Sequence, residues 1–477
     1  MGTAANNAAA VEAFEAGLRG MLLRPADAGY DDARAIYNGM IDHRPALIAR
    51  CAGLVDVRRA VAFAGETGLV LSVRGGGHNV SGNSVCSGGL MIDLSLMKGI
   101  RVDPAARVAR TEPGVLWREF DHETHAFGLA TTGGVVSSTG VAGLTLGGGL
   151  GWLMGSYGLA CDNLVSVDLV TADGRLVTAS EQENPNLFWG VRGGGGNFGV
   201  VTSFEFRLHP VTMVLGGLLI HPLDSAVDLL RFYDEFTRTT PEELGTMALF
   251  VTSPEGQRVV AIAICYNGDP AEGERVLQPL RAFSAPLADT ITPMPYLQVQ
   301  RMFDEGFPHG QQNYWKSNFL RGLDPEAIGL IVDHVRRCPS PGSAIAIEQL
   351  GGAVGRIGRD ETAFGHRDAR FNLLIVGIWP DQSANEENVA WVRGLWNAMA
   401  AYSSGEVYVN YLGQESDEGL DRVEAAYGRE KYAHLVELKR RYDPDNLFRL
   451  NQNIRPSAGP RPAMNKVAEP LRTGAPA

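Results

Sequence analysis

His78 directly follows three glycines, Gly75, Gly76 and Gly77, at the end of the apolar stretch Leu69 to Arg74. Glycine lets a chain turn sharply and approach a ligand closely, so this position can bring an imidazole against a planar molecule. A lone histidine is usually structural, and its surroundings must decide. Of the 58 glycines, 28 fall between Gly65 and Gly199, which implies a long ligand surface made of main chain, as a dinucleotide requires. The clusters Gly147-Gly148-Gly149-Leu150-Gly151 and Gly193 to Gly196 invite comparison with a nucleotide-phosphate loop, and Asp168 lies at a suitable distance from Gly147. The order of strand, glycine turn and amphipathic helix is missing, so a Rossmann site is not expected. His122 and His125 are three apart, whereas a zinc-protease helix needs four with the glutamate beside the first histidine. A partly exposed helix explains them better, and no metal is predicted.

The elements that position these residues follow from periodicity. Val57, Ala60, Val61 and Ala64 make a helical stripe stopped by Gly68, and the helix feeds the strand Leu69 to Arg74. Leu90 to Leu94, Gly99 to Val102 and Arg107 to Thr111 read as short strands, the last two joined at Asp103-Pro104. Val115 to Ala126 reads as a helix closed by Gly128. Leu164 to Thr171 and Arg175 to Ala179 read as a hairpin whose Asp173-Gly174 suits a type I′ turn, and Phe204 to Leu208 as a strand. Residues Ala126 to Cys161 carry no charge but include 11 glycines in 36 residues. That composition disfavours a membrane helix and indicates buried loop wrapped around something large. Beyond His209-Pro210, helices (Ala226 to Thr237, Glu272 to Phe283, Glu326 to Cys338) alternate with strands (Val259 to Cys265, Phe371 to Trp379). Glu406 to Leu412 reads as a strand and Glu430 to Arg441 as a helix.

Composition narrows the class. With 477 residues, 45% hydrophobic and 20% charged, the chain has material for at least two domains and a large core. Its net charge of −12 repels phosphate backbones and anionic lipid, so neither nucleic acid nor membrane is an expected partner. Five scattered cysteines (Cys51, Cys86, Cys161, Cys265, Cys338) without a C-x-x-C pair fit a reducing cytoplasm, and no signal peptide is visible.

These features together resemble the berberine-bridge-enzyme-like oxidases of the vanillyl-alcohol-oxidase superfamily, with their PCMH-type FAD-binding domain. The resemblance runs through Val73-Arg74-Gly75-Gly76-Gly77-His78-Asn79, Ile92-Asp93-Leu94-Ser95, Glu112-Pro113-Gly114, Gly140 to Asn163 with Tyr157-Gly158-Leu159, Leu187-Phe188-Trp189 and Asn197 to Thr202. It resumes at Tyr408-Val409-Asn410-Tyr411, Tyr442 to Phe448 and Asn451-Gln452-Asn453-Ile454. It implies an α+β chain. A PCMH-type domain of two α/β subdomains would span 1–212, with its core at about 40–212. A substrate domain with an antiparallel sheet covered by helices would span 213–440, and 441–455 would return to the FAD-binding domain. Residues 456–477, rich in Pro and Ala, are expected to be disordered.

The resemblance also implies cofactor and site residues. FAD is expected to be joined covalently to His78. The segment that carries a second, cysteine link in many members is here Gly134-Val135-Val136-Ser137-Ser138-Thr139-Gly140, with Val136 in the cysteine's place, so attachment through His78 only is expected. Further contacts are implied for Arg74, Gly75, Gly76, Gly77, Asn79 and Gly82, then Pro113 and Gly114. The central loops add Gly134, Ser137, Ser138, Thr139, Gly140, Gly143, Gly147, Gly148, Gly149 and Gly151, followed by Tyr157, Asp162 and Asn163. Gly199, Val200 and Val201 and the later Asn410, Asn451 and Asn453 complete the set. Cys161 reads as a buried small residue.

Tyr408 and Tyr411 stand where the family's tyrosines meet substrate. Three apart on a strand, they would face opposite ways, and Tyr408 is slightly preferred. Glu348 is either a strand-end solvent residue or the carboxylate base. The expected activity is oxidation of a small organic substrate (alcohol, amine or sugar) with O₂ as acceptor, and an oxygenase or a dehydrogenase with another acceptor is the alternative. Oligomeric state is left open.

Overall fold

The computed structural model describes residues 2–413 and 419–456. Its first layer is a four-stranded sheet in the order Met21–Leu23, Leu47–Arg50, Leu90–Asp93, Leu71–Arg74, with the last three strands parallel. The helix Leu54–Thr67 crosses between two of these strands. It buries Val57, Ala60, Val61 and Ala64 and ends on Gly68 at φ 70°, a left-handed position that glycine adopts without strain. The second layer is a five-stranded antiparallel sheet in the order Ile100–Asp103, Val108–Thr111, Val200–Arg207, Leu164–Val170, Leu176–Ser180. The helix Trp117–His125 packs on it through Trp117 and Phe120, both fully buried against Phe206.

One turn differs from the sequence expectation. Val170 pairs with Leu176, Gly174 N donates to Thr171 O at 2.9 Å and Thr171 N to Arg175 O at 3.0 Å. Among the described non-glycine residues only Arg107, Asn184, His366 and Asn446 have positive φ, so Asp173 does not. The loop is a three-residue one, with left-handed Gly174 third, rather than a type I′ turn.

The third sheet is antiparallel throughout. Its order is Ala288–Asp289, Met213–Pro222, Arg258–Tyr266, Leu244–Thr252, Ala344–Gln349, Phe371–Trp379, Gln312–Leu320. Phe250, Ile345, Ile347, Leu373 and Ile375 point to one face, against the helices Ala226–Phe236, Pro270–Arg281, Pro325–Val335 and Asn385–Ala398. The alternate residues Met247, Leu249, Ala346, Leu374 and Val376 point to the other face, toward the first two layers. This is a mixed helix-and-sheet chain of the expected class.

The segment read as a strand over Glu406 to Leu412 is not one. Val409–Tyr411 form a single 3₁₀ turn, with Tyr411 N donating to Tyr408 O at 3.0 Å. Such a turn nearly eclipses residues three apart, so the opposite-face argument for the two tyrosines fails. Their rings touch, with centroids 4.8 Å apart at 87°. The final helix, Arg429–Tyr442, brings Lys439 inside, where its Nζ donates to Asn197 O, Asp443 Oδ2 and Phe448 O at 2.6–2.9 Å. No helix among the described residues is long and apolar enough to cross a membrane. Of the tail expected to be disordered, residues 457–477 lie outside the described residues.

Candidate active site

A cavity of about 510 Å³ runs between the glycine-rich loops and the bare face of the third sheet. Gly75, Gly76, Gly77, His78 and Asn79 line it, as do Gly134, Thr139, Gly140, Gly143, Gly147, Gly199, Val200 and Val201. Glu348, Asn410, Tyr411 and Asn451 lie on the same cavity. Close backbone approach explains the glycines at its centre. A Cβ on Gly76 would lie 2.5 Å from Gly140 Cα, and one on Gly140 would lie 2.5 Å from Gly76 N. Gly148 and Gly149 have φ of 124° and 96°, which side chains with a Cβ rarely adopt.

His78 sits on the cavity wall. Tyr37 stacks on its ring at 4.0 Å and 14°, and His309 and Trp315 meet it edge-on at 6.2 and 6.5 Å. Burial, with a smaller push from His309, lowers its pKa to about 3, so the imidazole is neutral at ordinary pH. Its Nε2 atom is buried and has no hydrogen-bond partner. Ser84 Oγ and Asn451 Oδ1, on residues that also line the cavity, are buried and unpartnered too. Orphaned polar atoms of this kind, beside glycines that keep main chain exposed to the cavity, fit a long polar cofactor.

Several residues expected at the cofactor stand one step behind the wall. Arg74 turns away and donates to Ala33 O. Pro113 O lies where a Cβ on Gly75 would be crowded, and a Cβ on Gly114 would strike Leu94 O. Gly82 closes a turn, with its N donating to Asn79 O at 3.2 Å. Gly148, Gly149, Gly151, Ser138 and Asn453 shape or flank the loops without lining the cavity. Tyr157 stacks on His209 at 3.8 Å, and Asn163 binds His209 and the carbonyls of Tyr157 and Leu159. Asp162 pairs with Arg367 at 2.7 Å, both side chains being almost fully buried. Cys161 is buried beside this pair and off the cavity.

Ser137 is committed to another element. Its N and Oγ donate to the two carboxylate oxygens of Asp304 at 2.8 and 2.6 Å. This clasp ties the Gly134–Gly140 segment to the loop carrying Met302, Phe303 and Phe307, all on the cavity. Val136 itself lines the cavity.

At the other end, Glu348 is only 3% exposed and its pKa is pushed up to about 7 by burial, with the hydrogen bonds from Asn372 and Tyr411 pulling the other way. Asn372 Nδ2 donates at 2.5 Å and Tyr411 Oη at 3.2 Å. Glu348 is therefore a cavity carboxylate and not a solvent residue. Tyr411 faces the cavity. Tyr408 lies behind it, its hydroxyl accepting from Gly149 N at 2.9 Å and from Asn410 Nδ2 at 2.7 Å. The slight preference for Tyr408 as the substrate-facing residue is thus reversed by position.

Sequence reasoning missed Tyr37, Trp315, Phe303, Phe307, Asp304 and Asn372. Asn372 lay within the strand read from the sequence at Phe371 to Trp379, whereas Tyr37 and Asp304 reach the site only through contacts distant in sequence. Among the described residues no cluster of His, Cys, Asp and Glu could hold a metal ion.

Residues 45–180 match the FAD binding domain family, and residues 407–455 match the family described as berberine and berberine like. An FAD-linked oxidoreductase of Dictyostelium discoideum is 33% identical over 451 residues, covering 94% of this chain and 97% of that one. The (R)-6-hydroxynicotine oxidase of Paenarthrobacter nicotinovorans is 33% identical over 450 residues, 92% and 97% of the two chains. The crystal structure of 6-hydroxy-D-nicotine oxidase from Arthrobacter nicotinovorans superposes with a TM-score of 0.85 at 31% identity, over 92% of this chain and 98% of that one. With an FAD-binding domain and a berberine-like C-terminal segment, the chain belongs to the berberine-bridge-like FAD-linked oxidoreductases and is an enzyme.

Proposed function

We propose that the chain is an FAD-dependent oxidase that removes a hydride from a C–H bond of a small organic substrate, with its FAD joined covalently through His78 alone. The observation that carries this reading is a neutral, unpartnered His78 Nε2 on the same cavity as the Glu348–Tyr411 pair. Bound there, FAD supplies a two-electron acceptor for the hydride, and O₂ takes the electrons on as hydrogen peroxide.

The chain's own residues supply the rest. A neutral imidazole is the form whose nitrogen lone pair can bond to carbon. Tyr37 holds the ring flat, which limits its rotation. Glu348, poised near neutrality, accepts in its ionised form the O–H or N–H proton that leaves the substrate, and Tyr411 donates to that carboxylate before the transfer. The apolar sheet face excludes water from this end. Val136 in place of a nucleophilic side chain supports a single attachment.

We assign 1–212 and 441–455 to cofactor binding and 213–440 to substrate binding. The cavity's glycine wall comes from the first and its apolar wall mainly from the second. Five unpaired cysteines support a reducing compartment such as the cytoplasm. The test is flavin retention: denatured protein should stay yellow and His78→Ala should release its flavin. FAD freely extracted from the unaltered chain would overturn the covalent assignment, and an excess of peroxide-free turnover in air would overturn the oxidase assignment.

A further inference from the structure

Resting on that reading, we propose that the substrate is an organic cation, a protonated amine on a compact apolar or aromatic body, held by Glu348 beside Tyr411 at the head of a row of aromatic rings that continues through Trp315 to Phe307. The argument begins with charge. Among the described residues no Lys or Arg lines the cavity, and Glu348 is the single carboxylate there. A buried carboxylate without a cation is costly, and among the described residues its donors are two neutral ones, Asn372 and Tyr411. A positive ligand group completes the site.

The walls beside Glu348 decide what carries that charge. On the strand register Glu348 has Met247 on one side and Asn372 on the other, and the next row is Leu249, Ala346, Leu374. Tyr411, hydrogen-bonded to Glu348, begins a row of aromatic rings, with Trp315 meeting Tyr411 at 6.0 Å and 70° and Phe307 meeting Trp315 at 6.0 Å and 82°. Perpendicular rings leading away from one carboxylate suit an ammonium group borne on an apolar or aromatic body, through cation–π and edge contacts. A sugar fits this end poorly. Each hydroxyl buried against Leu249, Ala346 or Leu374 would go unpaired, at a cost of roughly tenfold in affinity apiece.

Protonation of the partners is consistent with capture of a cation. An ammonium beside Glu348 favours its ionised form, and the carboxylate can then take the ammonium N–H proton, leaving a neutral amine with a free lone pair.

Binding is tested on the flavin-loaded chain by titration calorimetry with N-methylbenzylamine, its neutral isostere benzyl methyl ether, and cellobiose, at about pH 8 where the amine is still protonated. Glu348→Gln is measured alongside. The amine should bind at least about tenfold more tightly than the ether. That ratio should fall to near one in Glu348→Gln while the ether's affinity is kept, which also shows that the variant is folded. If the variant does not fold, the ratio in the unaltered chain decides alone. An amine no tighter than the ether, or cellobiose binding better than both, overturns the proposal. The flavin absorbance of the same samples reports separately on cofactor binding, so either failure leaves the flavoenzyme reading standing, whereas a colourless protein defeats that reading first.

Discussion

Tyr37 lies flat on His78, with ring centroids 4.0 Å apart and 14° between the planes. It comes from a loop whose main chain is bound on both sides: Tyr37 N donates to Gly77 O at 2.9 Å, and Tyr37 O accepts from Gly310 N at 3.0 Å. The stack therefore fixes the imidazole from outside its own segment. Tyr37→Phe should keep covalent flavin near the unaltered level, and Tyr37→Ala should lower the covalently bound fraction severalfold. The ratio of protein-bound to released flavin after acid precipitation measures this. Equal fractions in both variants would show that the stack has no part in attachment.

Glu348 sets a pH dependence with a definite sign. If its carboxylate takes the substrate proton, the rate of anaerobic flavin bleaching should fall about tenfold per unit below about pH 7 and level off above it. Asn372→Ala removes a donor that favours the ionised form, so the midpoint should move upward. Glu348→Gln should lose the limb altogether with a drop of about 10²–10⁴ in rate. Tyr411 is the titratable group facing Glu348, and its own pKa is raised well above the usual range, so it contributes no limb near neutrality.

The same residue weakens the fold. A carboxyl group whose folded pKa is raised leaves stability complete below its unfolded pKa of about 4.3 and erodes it as pH rises to about 7. The loss approaches about 3 kcal/mol. Glu348→Gln, permanently neutral, should match the unaltered chain in melting temperature near pH 4 and exceed it increasingly up to pH 7. A constant difference across that range, followed by differential scanning fluorimetry, would contradict the buried carboxylate.

The two tyrosines should separate cleanly. Tyr408→Phe leaves Gly149 N without its acceptor and should cost about 1–3 kcal/mol in stability, with the pH profile unchanged. Tyr411→Phe should slow flavin bleaching and shift the profile of Glu348 upward, because the lost donor stabilised the carboxylate. Urea unfolding and pre-steady-state absorbance distinguish these results.

Gly76→Ala tests the wall itself. Its Cβ would stand 2.5 Å from Gly140 Cα and 2.6 Å from Gly140 N, and neither backbone atom can yield cheaply. The variant should load little flavin, as read from the absorbance of purified protein, whereas Gly143→Ala, with open space at its Cβ, should fold normally.

How much of this was legible depended on what each residue contacts. The glycine segment and His78 stood out because backbone approach demands glycine in the sequence itself. The sheet face at Met247, Leu249 and Leu374 did not, because the opposite face, with Phe250, Ile345 and Ile375, is equally apolar under its helices. Alternation disappears when both faces are buried. Tyr408-Val409-Asn410-Tyr411 reads as a strand by composition, yet Gly149 N and Leu144 O hold its side chains and the chain turns instead. Tertiary contacts overrode the local preference there. Asp304 had no local signal at all, since its partner Ser137 is 167 positions away.

The stretch from Asn451 to Ile454 has a consequence for how the enzyme is made. Asn197 binds both Gln452 O, at 3.1 Å, and Ile454 N, at 3.0 Å, and Asn451 and Gln452 complete the cavity that begins at Leu71. A nascent chain on the ribosome thus lacks one wall of the cavity until residues 451 and 452 have emerged. Flavin loading consequently waits on the synthesis of residues 451 and 452, and a premature stop upstream of residue 451 would yield a protein without that wall, however well its first two sheets had already folded.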